Sequence, residues 1–345
     1  MHILLEAGGD RDINSNRYGT ILNTACVSGK KYMVENVLDI IPKIAVSTVT
    51  GKYGTPFQSA VYGFQSDPKT VIAVFNLLEK NGAVASTEGG HYSTPLHAAI
   101  DLRQSLDVVI WLMESSPRSL LVSDVAGRVP LSLAILRGNR DVAKAVFEKT
   151  KSILPGSNRS DIQVFFPPDR QDLTLLHYAV ISRSSEMVSS VLALFREIPD
   201  NPGDLDKLIN ATDVDGWTPL HWACRWSTEI VMILKDNKAD TNTTTNEGWY
   251  PRQVAVLHGF ENNECIKTLG DSNDESVASH QLKLPENYQR RDFGYCDVCY
   301  TYRCWVYYHC EDDYCHDFNL CFKCYKHAER VHFKGHEFCS RVPGS

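Results

Sequence analysis

The chain has 345 residues, 43% hydrophobic and 22% charged, with 35 Lys plus Arg against 42 Asp plus Glu for a formal net charge of -7. Such proportions describe a folded globular chain of roughly two or three domains and exclude wholesale disorder and a collagen-like repeat. No apolar run nears the about 20 residues of a membrane helix, Met1-His2-Ile3-Leu4-Leu5-Glu6 lacks the basic start of a secretory leader, and mild acidity argues against a nucleic-acid partner.

The first residues, Ile3-Leu4-Leu5-Glu6-Ala7-Gly8-Gly9-Asp10, read as the end of a helix and its turn, without the partner helix that should precede them. A stack of repeats needs a polar unit over its terminal apolar face. The expectation is therefore a truncated first repeat in a fragment of a longer protein.

One pattern then recurs: a Gly or polar residue, Thr, Pro, Leu, a polar residue, Ala. Its clearest copy is Gly216-Trp217-Thr218-Pro219-Leu220-His221-Trp222-Ala223, with others at Ser93-Thr94-Pro95-Leu96-His97-Ala98 and Gly127-Arg128-Val129-Pro130-Leu131. The Pro-equivalent positions are 21, 56, 95, 130, 175, 219 and 251, in steps of 35, 39, 35, 45, 44 and 32. Thr before Pro is chemistry for a helix start, because its hydroxyl caps the first turn and Pro arrives with helical φ. A second apolar stripe follows each motif, as in Val34, Val37, Leu38 and Ile41, then Val71, Val74, Leu77 and Leu78, then Val108, Val109, Trp111 and Leu112. Spacings of three and four make one helical face.

This stretch resembles the ankyrin repeat family. The resemblance implies an all-α ankyrin repeat solenoid over residues 1–268, of about seven repeats, that binds other proteins on its surface. His97, His177 and His221 recur at the repeat period, so they are read as ties between neighbouring turns and not as ligands. Trp217, Trp222, Trp226 and Trp249 are read as packing between the last repeats, with partner anchoring as the alternative. Insertions at Pro155 to Asp172 and Ile198 to Leu208 are read as loops, folded on their own repeat or edging a binding face. Three glycosylation sequons, at Asn158, Asn210 and Asn242, carry no weight without secretion.

Residues 269–292 are polar and acidic and read as a linker. Beyond it the cysteines crowd: eight of eleven lie at or after Cys296. Without a secretory leader, metal is favoured over disulfides. Two C-x2-C pairs, Cys296/Cys299 and Cys321/Cys324, frame the cluster, and His332-x3-His336 adds two imidazoles. The donors outnumber what one tetrahedral ion uses, which predicts two zinc ions.

The order of these residues, with Asp317-Phe318-Asn319-Leu320-Cys321 and Val306-Tyr307-Tyr308-His309-Cys310, resembles the ZZ-type zinc finger over about residues 293–340. That resemblance implies cross-braced sites: Cys296, Cys299, Cys321 and Cys324 on one Zn2+, and Cys310, Cys315, His332 and His336 on the other. Four residues separate Cys310 from Cys315 where the family usually has two, leaving Cys304, His309, His316 and His327 as alternative ligands at the second site. Cys304 and Cys339 are otherwise bystanders. Four protein ligands per ion make both sites structural, supplying stability that a domain of about 45 residues cannot draw from its core. Tyr295, Trp305, Tyr307, Phe318, Phe322 and Phe333 are expected to fill the space between sites. Some ZZ fingers hold a peptide N-terminal amine; the matching positions are Asp297, Asp317 and Asn319, the last without a charge.

No phosphate-binding Gly loop, G-x-S-x-G elbow or H-E-x-x-H pair occurs. No catalytic residue is assigned, and the chain is read as an intracellular adaptor or scaffold, cytoplasmic or nuclear. The alternatives are a ubiquitin-ligase component or substrate receptor, and the C-terminal sensing part of a larger receptor. A RING finger, the other cross-braced zinc module, would order its ligands differently.

Overall fold

A computed structural model of the chain describes residues 19–40, 46–47, 49–65, 67–153, 167–197, 202–257, 264–269, 294–295, 302–304, 307–311, 319–321, 325, 328–332 and 336–341. Residues 1–10, expected to be the remainder of a truncated repeat, most of the Pro155 to Asp172 insertion and residues 270–292 of the expected linker lie outside them. The chain divides into two units between Ser157 and Asn158.

In the first unit the helices come in pairs: α1 (Ile21–Val27) with α2 (Lys31–Leu38), α3 (Pro56–Gly63) with α4 (Pro68–Lys80), α5 (Pro95–Asp101) with α6 (Leu106–Ser115), and α7 (Pro130–Leu136) with α8 (Arg140–Ile153). The first helices start where the motif predicts. Thr20, Thr55 and Thr94 are extended cap residues whose hydroxyls accept the amides of Asn23, Gln58 and His97. First helices pack in one row and second helices in another. Leu22, Val34, Phe57, Val74, Leu96, Val108, Leu131 and Val146 meet between the rows, each at most 1% exposed. The predicted stripes hold in the main, but Phe75 is fully buried beside Val74 while Leu77 and Trp111 sit at the edge.

Two backbone features set this spacing. The turn between paired helices places a residue in the left-handed region nine positions after the cap, at Gly29 (φ 68°), Arg103 (φ 55°) and Gly138 (φ 69°). Gly63, at the end of α3, lies so close to α1 that a Cβ would sit 2.1 Å from the Cys26 carbonyl oxygen.

The second unit repeats the arrangement with α9 (Leu175–Ile181), α10 (Ser185–Glu197), α12 (Pro219–Ala223), α13 (Thr228–Asp236), α14 (Pro251–Leu257) and α15 (Glu264–Leu269). Helices α9, α12 and α14 make one row and α10, α13 and α15 the other. The Ile198 to Leu208 insertion, expected to be a loop, carries all but the last residue of α11 (Pro202–Ile209). Pro202 opens that helix with preset φ, Ile209 is buried, and Asn210 Oδ1 accepts the Asp240 amide at 2.8 Å.

Toward the C-terminus the secondary structure changes. Strand β1 (Gly294–Tyr295) pairs antiparallel with β2 (Tyr302–Cys304). Strand β3 (Tyr307–Cys310) lies between β4 (Asn319–Cys321) and β5 (Phe338–Arg341), antiparallel to both. A short helix α16 (Ala328–Val331) precedes His332.

Candidate interaction surface and metal centre

Three residues after five of the caps stands a side chain that ties one repeat to the next. Asn23 Nδ2 donates to the Gly54 carbonyl at 3.0 Å, and Gln58 Nε2 to Gly89 at 2.8 Å. His97 Nε2 lies 3.1 Å from the Arg128 carbonyl, His177 Nε2 3.0 Å from Trp217, and His221 Nε2 2.9 Å from Trp249. A carbonyl only accepts, so each Nε2 carries the proton. Each Nδ1 then meets its cap Thr hydroxyl, at 2.8, 2.9 and 2.8 Å. Both ring nitrogens are committed to the stack, as the repeat period predicts. Burial pushes His97 below its ordinary range and His221 down to about 4.

A second row was not read from the sequence. Five residues before the cap sit buried aspartates, Asp124, Asp169 and Asp213. In each, Oδ1 accepts the amides two and four residues on: Ala126 and Arg128, Gln171 and Leu173, Asp215 and Trp217, at 2.8 to 3.0 Å. Oδ2 takes a side-chain donor: Arg128 Nε, the Tyr178 hydroxyl or Trp222 Nε1. Burial, the largest single influence, would raise the Asp124 carboxyl, but the Arg128 charge, His97 and the hydrogen bonds from Arg128 together outweigh it and the net displacement is downward. The sequence signal, an Asp at one fixed offset from three of the seven motifs, exists but looks like ordinary turn composition.

A family model described as "Ankyrin repeats (3 copies)" matches residues 193–279. The helix pairs have the ankyrin repeat fold. Ankyrin repeat domain-containing protein SAT10 from Stachybotrys chartarum is 25% identical over 300 residues, 83% of this chain and 14% of that protein. Ankyrin repeat protein nuc-2 from Neurospora crassa is 23% identical over 240 residues, 64% of this chain and 21% of its own length. The chain thus spans between a seventh and about a fifth of these curated relatives. The crystal structure of the human ASB11 ankyrin repeat domain shares the fold with a TM-score of 0.51 and 21% identity, covering 72% of this chain and 95% of that one. Ankyrin repeats are protein-interaction modules. Among the described residues no helix is long and apolar enough to cross a membrane.

The tryptophans of the second unit divide by role. Trp222 is 1% exposed and hydrogen-bonded to Asp213 at 3.0 Å, so it packs. Trp217 and Trp226 remain partly exposed on either side, with ring centres 5.7 and 6.2 Å from that of Trp222. The Arg225 guanidinium lies against all three rings, at 5.7, 5.2 and 4.5 Å.

In the C-terminal segment, β3 ends at Cys310, which is 1% exposed and opposite Phe338 of β5. The turn after α16 delivers His332, whose amide bonds the Ala328 carbonyl, and the chain entering β5 delivers His336. His332 Nε2 lies 3.3 Å and His336 Nδ1 3.6 Å from Cys310 Sγ, and the three donor atoms lie within 4.8 Å of one another. A tetrahedral zinc with Zn–S near 2.3 Å and Zn–N near 2.0 Å sets sulfur and nitrogen about 3.5 Å apart. The donor set and its spacing fit Zn2+.

These three are predicted ligands of the second site. The fourth, Cys315, lies outside the described residues, as do Cys296, Cys299 and Cys324 of the first site and Asp297 and Asp317. Cys321 is described as part of β4, opposite Tyr307. Of the alternative ligands, His309 pairs elsewhere: its Nδ1 is 3.0 Å from Asn319 Oδ1, which occupies the one described position of the expected amine site. The packing found in this segment is Tyr308 stacked on Tyr325 at 3.5 Å, Phe338 edge-on to His332 at 5.3 Å, and fully buried Leu320.

Proposed function

We propose that this chain is a protein-binding adaptor whose ankyrin repeats engage a partner and whose C-terminal segment is a ZZ-type finger folded around two structural zinc ions. The observation that carries the finer part is the convergence of Cys310, His332 and His336 from three separate elements onto one point. Buried thiol and imidazole groups at this spacing are costly to bring together for packing alone and are ordinary around a metal. Cys310, Cys315, His332 and His336 would hold one ion, and Cys296, Cys299, Cys321 and Cys324 the other. The ions supply the folding energy of a small sheet, and no position is left open for hydrolysis.

Metal analysis of the purified full chain tests this directly. The expected content is two zinc ions per chain, with Cys310→Ser or His332→Ala lowering it by one. A metal-free chain that keeps its finger sheet would overturn the reading. For the repeats, crosslinking of the tagged chain in cells, followed by mass spectrometry, is expected to place partner crosslinks on the ankyrin surface. Crosslinks spread evenly over the chain would contradict a dedicated interface.

A further inference from the structure

The turn between α12 and α13 holds a charge that the repeats themselves do not answer. Arg225 and Trp226 are half-buried there, and Arg183, in the equivalent turn between α9 and α10, is exposed. Both guanidinium carbons stand 4.5 Å from the centre of the Trp226 ring. The two cations are therefore held on one indole, within twice that distance of each other. Arg183 is posed by a backbone in the left-handed region, φ 60°, at the position where two other repeats carry Gly29 and Gly138. Among the described residues, Arg225 Nε and Trp226 Nε1 are shut off from solvent and meet no acceptor, and no carboxylate pairs with the Arg225 side chain.

Stacking on indole satisfies a guanidinium face but none of its five in-plane donors. A half-buried cation in this state gains most from a planar anion that reaches its edge, which is what a carboxylate offers. We propose that Trp217, Arg225, Trp226 and Arg183 form the docking site for an acidic segment of a partner protein, with Asp or Glu side chains on the guanidinium edges and an apolar neighbour on the indoles. Two acidic side chains two residues apart in an extended segment stand about 7 Å apart, within the range the two arginines span. A protein segment is favoured over a nucleic acid because the chain carries a net charge of -7, which repels a long polyanion but not a short acidic patch.

This inference rests on the protein-binding reading and names its chemistry. The test selects a random peptide display library on the full chain, then measures the best peptide, and a version with its Asp and Glu changed to Asn and Gln, by calorimetry and tryptophan fluorescence. The expected result is an acidic consensus that perturbs tryptophan emission. Binding should weaken at least about tenfold in Arg225→Gln and in the neutralised peptide, from the loss of charge-assisted bonds. Because Arg183 is exposed, Arg183→Gln serves as a second variant that leaves folding intact, and circular dichroism checks both. Enriched peptides without acidic residues, or affinities unchanged in both variants, overturn the inference and leave protein binding standing. No enrichment at all counts against both.

Discussion

His221 shows how far a single side chain is governed by its place in the repeat. Its imidazole accepts from Thr218 on one side and donates to Trp249 on the other, a pair of bonds that only the neutral ring can make. Its folded-state value near 4 lies below the ordinary 6.5, so the stability it contributes is complete above about pH 6.5 and is lost as pH falls toward 4. At 1.36 kcal/mol per unit this amounts to up to about 3 kcal/mol. Gln58 shows that an amide can fill the same role, accepting the Thr55 amide and donating to Gly89, each at 2.8 Å. Replacing His221 by Gln is therefore expected to keep stability at pH 7.5 and to shrink the loss between pH 7.5 and 4.5, read from urea midpoints at the two pH values. An unchanged pH dependence would place the titration elsewhere. The His periodicity was legible in the sequence. The buried Asp124, Asp169 and Asp213 were not, since an aspartate in a turn looks solvated until the next repeat covers it.

At the scale of elements, Pro-equivalent positions 21, 56, 95, 130, 175, 219 and 251 are each the first residue of a helix. This much is local chemistry, since a Thr or similar residue before Pro terminates the preceding extended turn and starts the helix by itself. The distance between neighbouring helices is not local. Gly63 carries no motif, yet the approach of α3 to α1 depends on its missing side chain. Gly63→Ala should push the two helices apart at a cost of about 1–3 kcal/mol, typical of overpacking. A substitution that leaves the denaturation midpoint unmoved would mean the helices separate freely. The helix α11 escaped notice for a related reason: its eight residues, opened by Pro202 inside an insertion, are too few to show a period, and the burial of Ile209 is not written in its neighbours.

Across the whole molecule, two kinds of stability coexist. In each unit the repeats bury apolar rows between their helices, whereas the C-terminal segment is a small sheet in which Leu320 and Cys310 are the side chains most fully buried among the described residues. On the zinc-finger reading proposed above, a strong chelator is expected to unfold this segment alone. Far-UV circular dichroism should keep its helical signal while the near-UV signal of the finger aromatics, including the Tyr308–Tyr325 stack, is lost. Simultaneous loss of both signals would show that the repeats depend on the finger.

Residue types and their spacing along the chain were enough for the repeat period, the starts of the first helices and the tying role of the histidines, and they nominated Cys310, His332 and His336 as candidate metal donors. Each is set by residue types a few positions apart, or by identity at a fixed spacing. Only the tertiary structure decided which donors converge, which turn aspartates are covered, where two helices touch backbone to backbone, and that Arg225 lies stacked on indoles with its edge unanswered. Those features depend on residues brought together from distant parts of the chain, and proximity of that kind leaves no local pattern.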